Sequence, residues 1–458
     1  MLWTERLGRG RFGDQRLATR VRILVAAIVA HAEASLPQIF PCLRELKAAS
    51  ACFSNPRVSP AAILSTDRPG CLAALAAGET VLMVQDTTAL TWAHPATAGL
   101  GRVSRYRHQR GMLAHTALAV RPDGVALGSV AQALWERDPA QTGQRYQRRQ
   151  RATAAKESQR WQETELASLV DIPPTVHAIT VADREADIFA LFAAPRPAHA
   201  DLLIRAAHDR VVTVDDERRH LWAAVEAAPV LGCHPVAVQR AQDRDAREAY
   251  CRLRVCRVQL QPPQQPAPGT PQQAPLALTA LLLQEVGAPP HTVPLCWLLL
   301  TTLPVPDLVA AGQCVQYYTL RWLVERYHFV LKTGCGVEQL QLQHADRLER
   351  AVAVYCLVAW RVLGLTYQGR ETPAAPCDTV LQPAEWETLT CLHDQTPTPR
   401  PTPPSLGEAV QWIAQLGGFL ARRGDGEPGP RTVWRGYTRL REYVVARQLF
   451  LRSPPVTP

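Results

Sequence analysis

The most informative stretch of this sequence, residues 316–336, is QYYTLRWLVERYHFVLKTGCG. Its apolar spacing predicts one helix, on which Arg321, Glu325 and Lys332 lie roughly 60°, 20° and 40° from Tyr318 around the axis. One face of that helix therefore carries a phenol, a guanidinium, a carboxylate and an ammonium. A metal-binding carboxylate beside cations that bind phosphate is what phosphoryl transfer on a nucleic acid requires. The alternative is a solvated amphipathic helix with an i,i+4 ion pair of Arg321 and Glu325.

Two aspartates stand where predicted buried strands end. ETVLMVQDTTAL, residues 79–90, predicts a strand that ends at Asp86, and TVHAITVADREADIFALF, residues 175–192, predicts a strand that continues into a helix at Asp183. Open α/β sheets bind their ligands at the carboxyl ends of strands. Together with Glu325, the two aspartates are suited to two Mg²⁺ ions, for which Mn²⁺ can substitute. Each aspartate also has a local alternative, because Asp86 can cap a turn and Asp183 can be a helix N-cap.

Strand and helix patterns alternate through the middle of the chain. HTALAVRPDGVALGSVAQALW predicts a hairpin with its turn at Pro122-Asp123-Gly124, and DLLIRAAHD and LCWLLLTTL predict further strands. KESQRWQETELASLV predicts a helix. Residues 211–290 predict a β insertion around the Pro/Gln-rich tract QPPQQPAPGTPQQAP. The fold class that follows is α/β, with a mixed sheet.

Both ends of the chain are predicted to be helical. Residues 1–57 carry nine Arg and Lys against four acids around the helical VRILVAAIVAHAEASL, which indicates a DNA-binding unit or, alternatively, a solvated bundle without a partner. Beyond the Pro-rich TPTPRPTPPS, helices are predicted by GEAVQWIAQLGGFL and YTRLREYVVARQLF. We therefore divide the chain into a helical N-terminal domain, 1–70, an α/β domain, 71–370, and a helical C-terminal region, 371–458.

The composition favours a polyanionic partner and a reducing compartment. The formal charge is +9, and the twelve cysteines form no CxxC motif, as expected of reduced thiols in a cytosolic protein. MLWTERLGRGRFGDQR lacks the apolar core of a signal peptide. AVAVYCLVAWRVLGLTY contains Arg361 and is shorter than a comfortable membrane span, so it predicts a buried helix. We expect a cytoplasmic protein without a membrane segment; a bacterial, nucleoid-associated location is implied only by the family resemblance described next.

The segments that carry Asp86, Asp183 and Glu325 resemble those of the DDE transposases of bacterial insertion sequences, specifically the family named for insertion sequence four. The family signature, Y-x2-R-x3-E-x6-K, is matched at every spacing by Tyr318, Arg321, Glu325 and Lys332. VQDTTAL and DREADIF match the segments that carry the first and second acids of the family, here Asp86 and Asp183. FGDQRLATR and FSNPRVS are similar to its N-terminal DNA-binding segment. WIAQLGGFLARRGDGEPGPRTVWRG is similar to the C-terminal segment that serves synapsis and dimerisation in relatives.

The resemblance implies an RNase H-like catalytic core with a β insertion between the second aspartate and the glutamate. It implies cut-and-paste transposition through DNA hairpins, with Asp86, Asp183 and Glu325 as catalytic metal ligands. The partners would be the terminal inverted repeats and the target DNA, bound by a homodimer in the synaptic complex. Tyr318, Arg321 and Lys332 would bind phosphates.

Three further DNA-binding residues follow from the resemblance. Trp297, in LCWLLL, matches the position whose indole stacks on a flipped base or fills its gap, and a core tryptophan is the alternative. Arg205, in LLIRAAHD, matches a phosphate-contacting position. His328 lies one turn after Glu325 and is expected to contact DNA or to support the site, with a purely structural role as the alternative.

The sequence departs from the family at two positions, and two rival functions stay open. Close relatives place basic residues at the positions of Phe329 and Gln341, for which Arg347 is one candidate substitute. Little sequence precedes Phe12, and this favours a rival in which the chain is a DNA-binding, dimerising regulator that no longer transposes. The other rival, a structure-specific nuclease, would cleave DNA without joining strands.

Overall fold

The computed structural model describes residues 7, 10–30, 34–92, 97–103, 109–137, 159–238, 247–263, 273–422 and 425–452. Twelve strands of these residues join into one mixed sheet. They are β1 Thr80–Thr91, β2 Gly101–Arg102, β3 Arg110–Val120, β4 Ala126–Trp135, β5 His177–Ala182, β6 Ala200–Arg205, β7 Val211–Val214, β8 Glu217–His220, β9 Val230–Val238, β10 Arg247–Leu260, β11 Leu276–Glu285 and β12 Cys296–Thr301. The order is β2-β3-β1-β5-β6-β12-β11-β10-β7-β8, with β4 paired to β3 and β9 paired to β10.

Helices cover the sheet and form both ends of the described chain. The N-terminal set is α1 Gln15–Ala30, α2 Leu36–Ile39, α3 Leu43–Ser54, α4 Pro60–Leu64 and α5 Arg68–Ala73. The central set is α6 Gln159–Leu169, α7 Phe189–Ala193, α8 Leu221–Ala227, α9 Leu308–Thr319 and α10 Trp322–Phe329. The C-terminal set is α11 Ala345–Glu371, α12 Pro383–Asp394, α13 Leu406–Leu416 and α14 Pro430–Arg452. The predicted α/β class with a mixed sheet and helical ends is confirmed.

Strand β1 differs from its prediction, because it does not end at Asp86. Its first half pairs in parallel with β5, and the last pair of that ladder is Gln85 with Ala182. Beyond this point β1 continues to Thr91 through antiparallel pairing with β3 alone. The apolar run stops at Asp86 because only the first half of the strand is covered on both faces.

The β insertion extends the same sheet. Strands β10 and β11 form a long antiparallel pair, and β12 joins that pair to β6. Burial alternates along most of β10, as expected where one face packs on a core and the other meets solvent. Part of the predicted Pro/Gln-rich tip, residues 264–272, lies outside the described residues. The predicted hairpin is present as β3 and β4, and Gly124 adopts a positive φ of 89° in its turn.

Helix α11 is the buried helix that the apolar stretch 351–367 predicts. All residues from 351 to 359 are at most 5 % exposed. The helix contacts α1, α3 and α4 on one side, α13 and α14 on another, and strand β4 of the sheet. It therefore links the two helical ends of the chain to the sheet. No helix in the described residues combines the length and hydropathy that a membrane crossing needs.

The predicted single helix over residues 316–336 is wrong, because the segment is broken twice. Helix α9 ends at Thr319, and a tightened turn follows in which Arg321 N donates to Tyr318 O at 3.1 Å. After α10, a π turn over Val330–Gly334 closes with Cys335 N donating to Val330 O at 2.8 Å. Tight turns overwind the chain and π turns underwind it. Both breaks change which side chains face the core, so the uniform 100° spacing assumed for this segment does not hold.

Candidate active site

The sheet brings Asp86 and Asp183 together. Because Gln85 and Ala182 form the last parallel pair of β1 and β5, the two aspartates are the next residues on adjacent strands. Glu325 comes from helix α10, which packs on β1. Two neighbouring strands and one covering helix therefore place the three acids near the end of the parallel ladder, where open α/β sheets bind their ligands.

Each acid also has the local role that the alternative interpretations predict. Asp86 Oδ1 accepts from Thr87 N at 2.8 Å, and Asp183 Oδ1 accepts from Glu185 N at 2.8 Å, which caps the 3₁₀ turn Arg184–Ala186. The helix predicted to start at Asp183 is no more than this turn, followed by the short α7. Glu325 Oε1 pairs with Arg321 Nη2 at 2.6 Å. Local bonding thus occupies one oxygen of each acid.

The three acids share one electrostatic environment. Burial raises the pKa of Asp86 to about 7, and the neighbouring charges of Asp183 and Glu325 act in the same direction. The Thr87 amide and the Arg321 guanidinium oppose that shift. A buried carboxyl that is destabilised by two other carboxylates is typical of a site that holds a counter-charge during function.

A hard divalent cation fits the chemistry of these donors, although the side chains are not arranged around a common point. Among the described residues, no group of three His, Cys, Asp or Glu side chains is close enough to hold a metal ion. Two carboxylate ligands with water and phosphate oxygen completing the shell suit Mg²⁺. Glu325 has a side chain that is 53 % exposed, so it can leave Arg321 and turn towards Asp86 without disturbing the core.

The residues expected to share one helix face with Glu325, namely Tyr318, Arg321 and Lys332, are buried to different degrees. Tyr318 is 3 % exposed, and its ring packs edge-on against Trp297 with centroids 4.9 Å apart. The Arg321 guanidinium lies 6.0 Å from the Tyr318 ring. Lys332 lies in the π turn, where burial lowers the pKa of its ammonium while Glu338 and Asp86 oppose the shift. The π turn therefore places Lys332 within electrostatic reach of Asp86.

The buried Tyr318 hydroxyl makes no hydrogen bond of good geometry in the described part of the chain, although the Arg205 side chain is near enough to interact with it. Burial raises the pKa of this phenol, and the nearby charges of Arg321 and Arg205 oppose the increase. Arg205 itself donates from Nη2 to Cys296 O at 3.0 Å. An unpaired buried hydroxyl costs free energy unless a ligand or water completes it.

A cavity of about 500 Å³ lies beside Tyr318 and Arg205. Five of the predicted site residues line it, namely Arg205, Trp297, Tyr318, Arg321 and Glu325. The sequence analysis did not identify His234, Gln316, Trp322 and Tyr367, which also line this cavity. Trp322 could have been found from its position beside Arg321. His234 could not, because β9 reaches the cavity only through the long-range pairing of the insertion.

His328 is placed as its structural alternative predicts and not on a DNA-facing surface. It is 5 % exposed, and its Nε2 lies 3.3 Å from Thr116 Oγ1. Burial lowers the pKa of this imidazole to about 3, so the ring is neutral at ordinary pH. The expected direct DNA contact is inconsistent with this position, because helix α10 and the sheet cover the ring.

The two departures from the family pattern lie on the surface. Phe329 is 46 % exposed, and Gln341 is exposed as well. Gln341 lines a second cavity, of about 480 Å³, together with Thr333 of the π turn and Arg431 of α14. A cation from the C-terminal region therefore borders the position that lacks a basic residue.

Comparisons with known proteins match both ends of the chain. Residues 2–58 match the family described as transposase DNA-binding, and residues 357–453 match the transposase Tn5 dimerisation domain. The first match includes α1, whose exposed side carries Arg16, Thr19 and Arg20. The second includes α14. These matches support a transposase with a DNA-binding and a dimerisation domain, and they support the predicted DNA partner and dimer.

Proposed function

From the premise that the chain carries the terminal domains of a Tn5-type transposase, we propose that it is a DDE transposase of the insertion-sequence-four family. It cleaves transposon ends through hairpin intermediates and joins their 3′-ends to target DNA. The observation that carries this proposal is that Asp183 and Glu325 lie close enough to Asp86 to raise its pKa, in a part of the chain that lies between two matches to transposase domains.

The sheet supports an RNase H-like core. Strands β4, β3 and β1 are antiparallel neighbours, and β5 and β6 follow in parallel beside β1. The first acid is on the central strand β1 and the second follows β5. The β insertion lies between the second acid and Glu325, which is its position in the transposases that the sequence resembles.

The acids and cations divide the work of phosphoryl transfer. Two Mg²⁺ ions held by Asp86, Asp183 and Glu325 would activate the attacking water or 3′-hydroxyl and stabilise the departing oxygen. Arg321 binds a DNA phosphate in place of Glu325. Glu325 is thereby released from the ion pair that it makes with Arg321 at 2.6 Å in the free protein. DNA binding and assembly of the carboxylate site are then coupled through one arginine. Lys332 neutralises a second phosphate beside Asp86.

The cavity beside the acids accommodates an extrahelical nucleotide. The Trp297 indole offers an aromatic face for stacking. The unpaired Tyr318 hydroxyl and Arg205 donate hydrogen bonds to the backbone of that nucleotide. Removing one base from the stack relieves the bend that a hairpin imposes on the DNA at the cut.

The test uses the full chain and DNA that carries the inverted repeats flanking its gene. Glu325→Gln is expected to bind these ends at least as tightly as the wild type, because the neutral amide competes less with DNA phosphate for Arg321. It should lose cleavage in Mg²⁺ by at least about a hundredfold, because a neutral amide is a poor ligand for a hard cation. Wild-type cleavage is followed by strand joining. Cleavage by Glu325→Gln at the wild-type rate contradicts the assignment.

A further inference from the structure

A row of polar side chains crosses the sheet beside Asp86. Asp86 of β1 is directly paired with Thr116 of β3, and Thr116 is directly paired with Gln132 of β4. Directly opposed residues of antiparallel strands point to the same face of a sheet. This face is the one covered by α10 and α11, in a part of the core that is otherwise apolar.

Thr116 and Gln132 of this row bond to each other and to side chains of the two covering helices. Thr116 is fully buried, and its Oγ1 accepts from Gln132 Nε2 at 3.3 Å and lies 3.3 Å from His328 Nε2. Gln132 Nε2 also lies 3.0 Å from Cys356 Sγ of α11. Of these three contacts, the one between the Thr116 hydroxyl and the His328 ring reaches α10, and it therefore joins that helix to this face of the sheet.

The position of His328 relates this contact to the acids. His328 lies three residues after Glu325 on α10, so the two side chains are neighbours on one helix face. Thr116 stands beside Asp86 in the same way on the sheet. The hydrogen bond between Thr116 and His328 therefore fixes how far along β1 and β3 the helix sits. A shift of α10 by one residue would leave the buried His328 Nε2 without this partner, and Thr116 would keep only its bond to Gln132.

We propose that Thr116 and His328 are positioning residues that hold Glu325 opposite Asp86, an inference that rests on the proposed function of these acids. Apolar contacts between α10 and the sheet supply stability, whereas a hydrogen bond also depends on the distance and angle between two particular atoms. The buried hydrogen bond between Thr116 and His328 therefore sets the position of α10. Gln132 supports it by holding the Thr116 hydroxyl from the other side.

The experiment combines hydrogen exchange with cleavage in four variants of the full chain. Thr116→Val removes the hydroxyl and keeps the shape, and Thr116→Ser keeps the hydroxyl. Thr301→Val is the matched control, because Thr301 is equally buried in the same sheet and its hydroxyl donates to Leu202 O at 2.6 Å, away from the acids. His328→Leu is the fourth variant, for use if Thr116→Val does not fold; it removes the ring nitrogen that contacts Thr116 and should have the same effects on exchange and cleavage.

Thr116→Val is expected to accelerate amide exchange over residues 322–334 by about tenfold, the effect of losing one buried hydrogen bond. Single-turnover cleavage should fall by about tenfold while the Kd for end-bearing DNA stays within about twofold, because a mispositioned Glu325 affects chemistry more than binding. Thr116→Ser should restore both. Thr301→Val should change neither, although its Tm falls.

The two proposals fail in different ways. Unchanged exchange over residues 322–334 in Thr116→Val overturns the positioning role, whatever happens to cleavage. An equal loss of cleavage in Thr301→Val also overturns it, because general destabilisation then explains the effect. If the wild-type protein does not cleave, the proposed function fails, and the exchange measurement alone decides whether Thr116 holds helix α10.

Discussion

At the scale of single residues, the site is defined by how burial changes ordinary groups. Asp86 is a carboxyl whose pKa is raised to about 7, and Tyr318 is a phenol without a partner. Both are unfavourable in the isolated protein, and the proposed cation and phosphate would offset both. Such costs are commonly found where function requires a strained arrangement.

The raised pKa of Asp86 predicts a pH-dependent stability difference. Between about pH 4 and pH 7 the folded state keeps the proton that the unfolded state releases, so stability falls as pH rises through this range. The free energy of unfolding of Asp86→Asn should therefore be roughly 1–3 kcal/mol higher than that of the wild type at pH 8 without divalent cations, so the variant is more stable. The difference should disappear near pH 4. Denaturant titrations at the two pH values measure it, and equal stability at pH 8 would show that Asp86 ionises without cost.

The unpaired hydroxyl of Tyr318 predicts opposite effects on stability and chemistry. Tyr318→Phe should leave the unfolding free energy unchanged or raise it by about 1 kcal/mol, because no hydrogen bond is lost. Hairpin formation should fall. The matched control is Tyr327→Phe, which loses a bond from the buried hydroxyl to Cys356 O at 3.3 Å and should be destabilised. Normal hairpin yield in Tyr318→Phe would remove this hydroxyl from the nucleotide site.

At the scale of elements, sequence spacing identified the chemistry of residues 316–336 but not their shape. The signature positions are separated along the chain as the resemblance requires, although a tight turn and a π turn interrupt the helix. The first break contains no proline or glycine to reveal it, and the π turn has a glycine only at its last residue, Gly334. Tertiary packing causes them, because Tyr318 must meet Trp297 while Leu323 and Tyr327 enter the core beneath α11.

The exposed apolar side chains at the end of helix α14 predict where two copies of the chain contact each other. Three apolar side chains near its end, Val445, Phe450 and Leu451, are 57 %, 79 % and 70 % exposed within the matched dimerisation domain. Phe450→Asp should weaken the dimer on paired ends by at least about tenfold, because a charge would be buried in an apolar contact. The control is Val293→Asp, at a position that is 90 % exposed in a loop far along the chain. Sedimentation of the DNA complexes measures both, and an unaffected Phe450→Asp dimer would place the interface elsewhere.

At the scale of the whole molecule, the sequence predicted the α/β class, the helical ends, the β insertion and the buried helix α11. Those features follow from apolar periodicity, which is local. It did not predict that β1 continues past Asp86, that β12 carries the insertion into the same sheet, or that His234 reaches the cavity. Each of these depends on pairing between distant segments, for which residues such as Thr116 and Gln132 give no local signal.

The central claim is that Asp86 binds a catalytic cation, and a change of ligand atom tests it most directly. Asp86→Cys replaces an oxygen ligand by a thiolate, which binds Mg²⁺ poorly and softer ions better. Cleavage of end-bearing DNA by this variant should fall by at least about a hundredfold in Mg²⁺ and recover by about tenfold in Mn²⁺. The wild-type protein should be active with both ions. Full activity of Asp86→Cys in Mg²⁺, or equal loss in both ions, would contradict the account.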